Sequence, residues 1–248
     1  MVPVGRALAG GLAVLVALLA ILSATTGLAL VAWGAGLGCG ALTTTAVARG
    51  LARGHGDHLG PADLVTLTRA VITCAVAALV VEAWLSSPVT AMLVALGAVS
   101  LVLDAVDGRV ARAMARSTEF GARFDGEADA FLLLVLSVHV AQSHGAWVLA
   151  IGVVRYAFWA AERAWPWFRR GLPRRDWRKV VTAVQGIVLV VAAANLAPRG
   201  PISLALVVAL LLLSESFGRD VRWLVRHRHD PTLDEAPAAD PSGRLPAS

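Results

Sequence analysis

Four aspartates, Asp104, Asp107, Asp125 and Asp129, fall between residues 104 and 129 of a chain that is otherwise strongly apolar. Asp104 and Asp107 are i,i+3 and Asp125 and Asp129 are i,i+4, so each pair shares one face of a helix. A carboxylate deep in a bilayer costs roughly 2.5–3.5 kcal/mol, and four unpaired ones on the order of 10–14 kcal/mol. Two divalent cations would neutralise four such charges. Hard oxygen ligands suit Mg²⁺, Mn²⁺ or Ca²⁺ rather than zinc. The competing reading pairs the aspartates with Arg109, Arg112, Arg116 and Arg123 in headgroup water.

The elements that must position these residues are membrane helices. Upstream runs AMLVALGAVSLVL and downstream AFLLLVLSVHVAQ, which puts the two pairs near the ends of successive spans, with the basic stretch Arg109 to Arg123 as the turn between them. With 248 residues, 57% hydrophobic and 16% charged, the chain is too apolar for an ordinary soluble domain and too long for a single anchor. The expected fold is all-α, a polytopic membrane helix bundle. Net charge is +5, but the basic residues are spread through membrane-flanking loops, which fits orientation and anionic head groups and argues against nucleic acid. Cys39 and Cys74 both sit in apolar segments, so neither a disulfide framework nor a thiolate metal site is expected.

Eight spans are read along the chain. Residues 7–48 carry no charge and form two helices, about 7–23 and 27–48, broken near Gly27; a retained hairpin is preferred over a cleaved signal peptide. Residues 50–62 form a polar juxtamembrane connector, with room for a short interfacial helix, in which His55, Asp57 and His58 read as solvated rather than as metal ligands. Further spans are expected at about 63–85, 89–108, 121–142, 146–165, 180–196 and 202–217. Residues 229–248, rich in Pro, Ala and Asp, are expected to be a disordered tail. Among turns on the side away from the aspartates only Arg199 is basic, which places the aspartates on the cytoplasmic side. Trp33, Trp84, Trp147, Trp165, Trp167, Trp177 and Trp223 fall near span ends or polar flanks, as interfacial anchors do.

The full pattern is denser than four aspartates: Asp104-x-x-Asp107-Gly108-x-x-Ala111-Arg112, eight residues, Gly121, three residues, Asp125, three residues, Asp129. It resembles the signature of the CDP-alcohol phosphatidyltransferase family at every specified position. The stretch PADLVTLTR resembles that family's first core helix, where an Asn-x-x-Thr-x-x-Arg pattern is usual; Asp63 stands in place of Asn, while Thr66 and Arg69 match. The resemblance implies a six-helix catalytic core, residues 63–228, with residues 1–49 as an added N-terminal hairpin.

It further implies a membrane enzyme of phospholipid biosynthesis that transfers a phosphatidyl group from CDP-diacylglycerol to a small alcohol and releases CMP. Asp104, Asp107 and Asp125 would be the main ligands of two divalent ions, Mg²⁺ or Mn²⁺. Asp129 would complete the metal set and act as general base. Asp63, Thr66, Arg69, Gly108, Ala111, Arg112 and Gly121 would serve the donor nucleotide. Basic residues Arg155, Arg174, Arg175, Arg178 and Lys179 point to a phosphorylated acceptor such as glycerol 3-phosphate or inositol phosphate. Lys179-x-x-Thr182-x-x-Gln185 resembles an acceptor-site arrangement of phosphatidylglycerophosphate synthase-like members. A homodimer in a bacterial cell membrane completes the expectation. An intramembrane Mg²⁺-dependent prenyltransferase and a cation-coupled transporter are the competing classes; the first sets its aspartate motifs on well-separated helix pairs, the second near the midplane.

Overall fold

The computed structural model describes residues 2–52, 58–85, 89–114, 119–165, 168 and 176–227; the side chains of residues 52, 107–114, 119 and 176 lie outside that description. The tail 229–248, residues 53–57 of the connector, and Arg174 and Arg175 are likewise outside it. Among the described residues the chain forms eight α-helices: α1 Val4–Thr26, α2 Leu30–Ala52, α3 Pro61–Leu85, α4 Thr90–Met114, α5 Glu119–His144, α6 Leu149–Ala164, α7 Asp176–Ala194 and α8 Arg199–Arg226. The all-α polytopic bundle expected from composition is what the chain builds.

Five of these, α1, α2, α3, α7 and α8, are long and apolar enough to cross a bilayer. In α4 the apolar stretch is shorter, Thr90–Val106. Glu119, Arg123, Asp125, Glu127 and Asp129 make the first third of α5 polar, and α6 has 16 residues that include Arg155, Glu162 and Arg163. Charge at the functional end is therefore what dilutes the hydropathy of the helices that carry it.

The break between α1 and α2 falls where the sequence places it. Gly27 caps α1 with φ +72°, a left-handed conformation that glycine adopts without strain, and its N–H donates to the Ser23 carbonyl at 2.9 Å. Most boundaries shift by two to four residues, and two shift further. The α4 helix runs on to Met114, so the turn before α5 is shorter than Arg109 to Arg123. The α8 helix continues to Arg226, well past 217, because Asp220 and Leu224 are buried and hold its polar end against the bundle. The connector holds an extended segment where an interfacial helix had been allowed for: β2, His58–Leu59, pairs antiparallel with β1, Val2–Pro3, in the register Val2 with Leu59 and Pro3 with His58.

Helix α3 is the axis of the bundle. It packs against α1, α2, α4 and α5, and most of its residues are buried on every side, as a helix enclosed by others must be. Its core face joins Leu79, Leu93, Leu132, Leu136, Leu189 and Leu206 in one apolar cluster. A smaller cluster, Ala7, Val47, Leu51, Leu59, Leu67 and Phe124, binds the hairpin to the entrance of α3.

Candidate active site

Arg69 is the centre of the polar site. It lies near the start of α3, is 1% exposed, and reaches out to both helices that carry the aspartates. Its Nη1 lies 3.0 Å from Asp104 on α4 and 2.5 Å from Asp125 on α5; its Nη2 donates to Asp129 one turn further along α5. Its Nε donates to the Ser100 carbonyl of α4 at 3.3 Å. A planar guanidinium presents five donors in fixed directions, and here one such fork ties three helices together.

The three carboxylates offer oxygens that all lie within 4.8 Å of one another. They are partly exposed, by 35% for Asp104, 40% for Asp125 and 22% for Asp129, so the cluster is open on one side while its arginine is sealed in. Three negative charges against one positive leave an excess of two, which a divalent cation would balance. An all-oxygen donor set of this kind fits Mg²⁺ or Mn²⁺. The α4 backbone continues through Asp107, Gly108, Ala111 and Arg112, whose side chains lie outside the described residues.

Other residues named from sequence divide between the site and its supports. Asp63 is buried and its Oδ2 accepts from the Gly60 N–H at 2.9 Å, which is helix N-terminal capping of α3. Thr66, one turn before Arg69, is buried and its hydroxyl donates to the Ala62 carbonyl. Gly121 lies in the first turn of α5. Lys179, in the first turn of α7, is close enough to Asp104 for the two charges to interact. Arg178, beside it, lies with Nε 3.4 Å from Asp220 on α8.

Arg155 is not drawn to the aspartates. Its Nη2 sits 3.3 Å from Glu127 Oε1, with both side chains about half exposed. At about 100° per residue, Glu127 faces away from Asp125 and Asp129. Gln185 is likewise turned inward: it is fully buried and donates from Nε2 to the Ala209 carbonyl at 2.7 Å, joining α7 to α8.

Sequence reasoning missed Glu127 and Asp220 as the partners of the two arginines. A signal existed for each: Glu127 is an acid of α5 that falls off the face shared by Asp125 and Asp129, and Asp220 is an acid within the basic end of α8. Nothing local showed which helix it would meet.

Neither curated proteins nor solved structures give a significant match. The family model of the CDP-alcohol phosphatidyltransferases does match, over residues 59–214, more than half of the chain's length and a stretch that contains Arg69 and all four aspartates; the chain belongs to that family.

Proposed function

We propose that this chain transfers a phosphatidyl group from CDP-diacylglycerol to the hydroxyl of a small, phosphorylated alcohol, with release of CMP, at the cytoplasmic face of a cell membrane. The observation that carries this reading is the gathering of Asp104, Asp125 and Asp129 within 4.8 Å around a sealed arginine, inside the matched segment. In this reading Asp104, Asp107 and Asp125 are the main ligands of two divalent ions, Mg²⁺ or Mn²⁺, and Asp129 completes the set. Held by these carboxylates, divalent ions would supply positive charge for the diphosphate oxygens and for the departing CMP.

The chain's own groups do the rest. Asp129 takes the proton of the acceptor hydroxyl as that oxygen bonds to the β-phosphorus; the bond from that phosphorus to the bridging oxygen breaks and its electron pair leaves with CMP. Arg69, held by Ser100 and by burial, keeps Asp125 and Asp129 in one orientation, so the base is positioned before the substrates meet. Asp63 and Thr66 fix the entrance of α3 at the donor end, with Gly108, Ala111, Arg112 and Gly121 assigned there by the motif. On the acceptor side we assign Lys179 and its neighbours Arg174, Arg175 and Arg178, supported by the proximity of Lys179 to Asp104. The pairing of Arg155 with Glu127 on the other face of α5 argues for leaving it out of that pocket.

The test is CMP release by purified protein in detergent with CDP-diacylglycerol and Mg²⁺, screened across glycerol 3-phosphate, inositol phosphate, inositol and serine, with EDTA as control. Metal-dependent release with one acceptor is expected. Asp104→Asn and Asp125→Asn should lower it by about 100-fold or more. Asp129→Asn should lose turnover by about 10²–10⁴-fold while weakening Mn²⁺ binding less than Asp104→Asn or Asp125→Asn does. Normal turnover in any of the three would remove that residue from its role, and silence with every acceptor would overturn the choice of donor or acceptor within the family.

A further inference from the structure

On the side of α5 that carries Glu127, away from the aspartates, the bundle holds a cavity of about 510 Å³. Four helices line it. Leu42, Ala46 and Val47 come from α2, Ala70 from α3, Phe124 and Phe131 from α5, and Tyr156 from α6. Its volume falls in the range of about 300–1,000 Å³ that ligand sites occupy, and its walls are mostly apolar, as theirs are.

Its long direction follows the helices. Along α2 the lining residues run from Cys39 to Gly50, and along α5 from Phe120 to Phe131, each about 16 Å at 1.5 Å per residue. The cavity therefore reaches from the level where the basic ends of the helices gather to about half the depth of a bilayer leaflet pair. At the basic end Gly50 meets Phe120 so closely that a Cβ there would approach the ring to 2.9 Å, which joins α2 to α5 and leaves the space between them as the groove. Charge is unevenly placed on it. Arg123 lines the wall, Arg155 lies against Gly126 and Glu127, and Arg49 adjoins Gly50, with Glu127 as the acid among them.

We propose that this groove holds one acyl chain of an anionic phospholipid, with the lipid phosphate at Arg123, Arg155 and Arg49, as a bound lipid distinct from any substrate at the aspartates. An apolar channel that ends in excess positive charge at the interface complements a lipid tail joined to a phosphate. Phe120, Arg123, Glu127 and Phe131 project to the side of α5 away from Asp125 and Asp129, while Phe124 and Ala128 border the flank between, so the body of α5 stands between an occupant here and the reacting groups. The inference stands apart from the proposed transfer reaction. It also gives α2, which precedes the matched family segment, a task in the molecule: it supplies one wall.

The experiment is native mass spectrometry of delipidated protein in neutral detergent, titrated with dioleoylphosphatidylglycerol or dioleoylphosphatidylcholine. One phosphatidylglycerol per chain should be retained under activation that strips the zwitterionic lipid. Ala46→Trp, on an exposed wall position, should weaken retention by about tenfold or more by filling the groove. The double variant Arg123→Gln with Arg155→Gln should lose the preference for the anionic lipid. Unfolding midpoint and metal-dependent CMP release of the Ala46→Trp protein report that it is folded, and the arginine variant reads the site without relying on it. Unchanged retention in Ala46→Trp, equal retention of both lipids, or displacement by inorganic phosphate alone would each overturn the proposal. So would conversion of a dimer to a monomer by Ala46→Trp with lipid binding intact, which would assign the groove to a second copy of the chain.

Discussion

An arginine that is 1% exposed and bonded to three carboxylates has no neutral substitute. Its removal leaves Asp104, Asp125 and Asp129 facing one another with Lys179, near Asp104, as a remaining counter-charge. Arg69→Ala should lower stability by about 2–3 kcal/mol, less than the roughly 3–5 of a fully buried pair because the aspartates are partly exposed. Arg69→Lys should fall between, since one ammonium cannot bond Asp125 and Asp129 through separate nitrogens while also reaching the Ser100 carbonyl. Thermal unfolding in detergent with EDTA measures both. Added Mn²⁺ should raise the Arg69→Ala midpoint more than the unsubstituted protein's, because a divalent ion relieves the same repulsion. An equal rise in the two would mean that Arg69 and the metal do not share these carboxylates.

Between elements, the closest approaches are made where a side chain is missing. A Cβ on Gly152 of α6 would meet the Cα of Leu134 at 2.5 Å and the Ser137 hydroxyl at 2.4 Å, whereas one on Gly186 of α7 would meet the end of the Leu101 side chain at 2.6 Å. Backbone cannot rotate aside and a leucine tip can. Gly152→Ala should therefore cost about 1–3 kcal/mol and Gly186→Ala distinctly less, by thermal unfolding. Glu82 makes a different kind of joint. It is 2% exposed and accepts from the Ala29 N–H at 2.7 Å, setting a carboxylate at the N-terminal end of α2 where unpaired N–H groups concentrate. Glu82→Ala should destabilise the protein by about 1–3 kcal/mol and raise the reactivity of Cys39 on α2 toward a lipid-soluble maleimide; unchanged reactivity would mean the hairpin is held without it. These joints mark where sequence stopped being informative. The spans were legible because runs of apolar residues near bilayer length have few other uses, and Asp104, Asp125 and Asp129 because helical spacing alone gives each pair a common face. The partnerships of Glu82 with Ala29 and of Arg155 with Glu127 join distant parts of the chain. The pairing of Val2 with Leu59 rests on two residues per strand, too short for any alternation to show.

For the whole molecule, alternating helices bring the start of α1, the end of α2, the start of α7 and the end of α8 to one side, where Arg6, Arg49, Arg178, Lys179, Arg219, Arg222 and Arg226 stand with the aspartates. Arg199 alone among the described arginines and lysines lies at the other. The positive-inside bias then predicts that Leu196→Cys, at a position 90% exposed, reacts with a membrane-impermeant maleimide on intact cells and that Arg226→Cys reacts only after permeabilisation. The reverse pattern would turn the molecule over. The pairing of Val2 with Leu59 makes the α1–α2 hairpin a closed excursion, since the chain leaves and returns at the same point, the threshold of α3. A protein cut to begin at Leu59 would draw no core helix out of place, yet it would present the flank of α3 to lipid; the hairpin is thus removable in topology while integral in solvation.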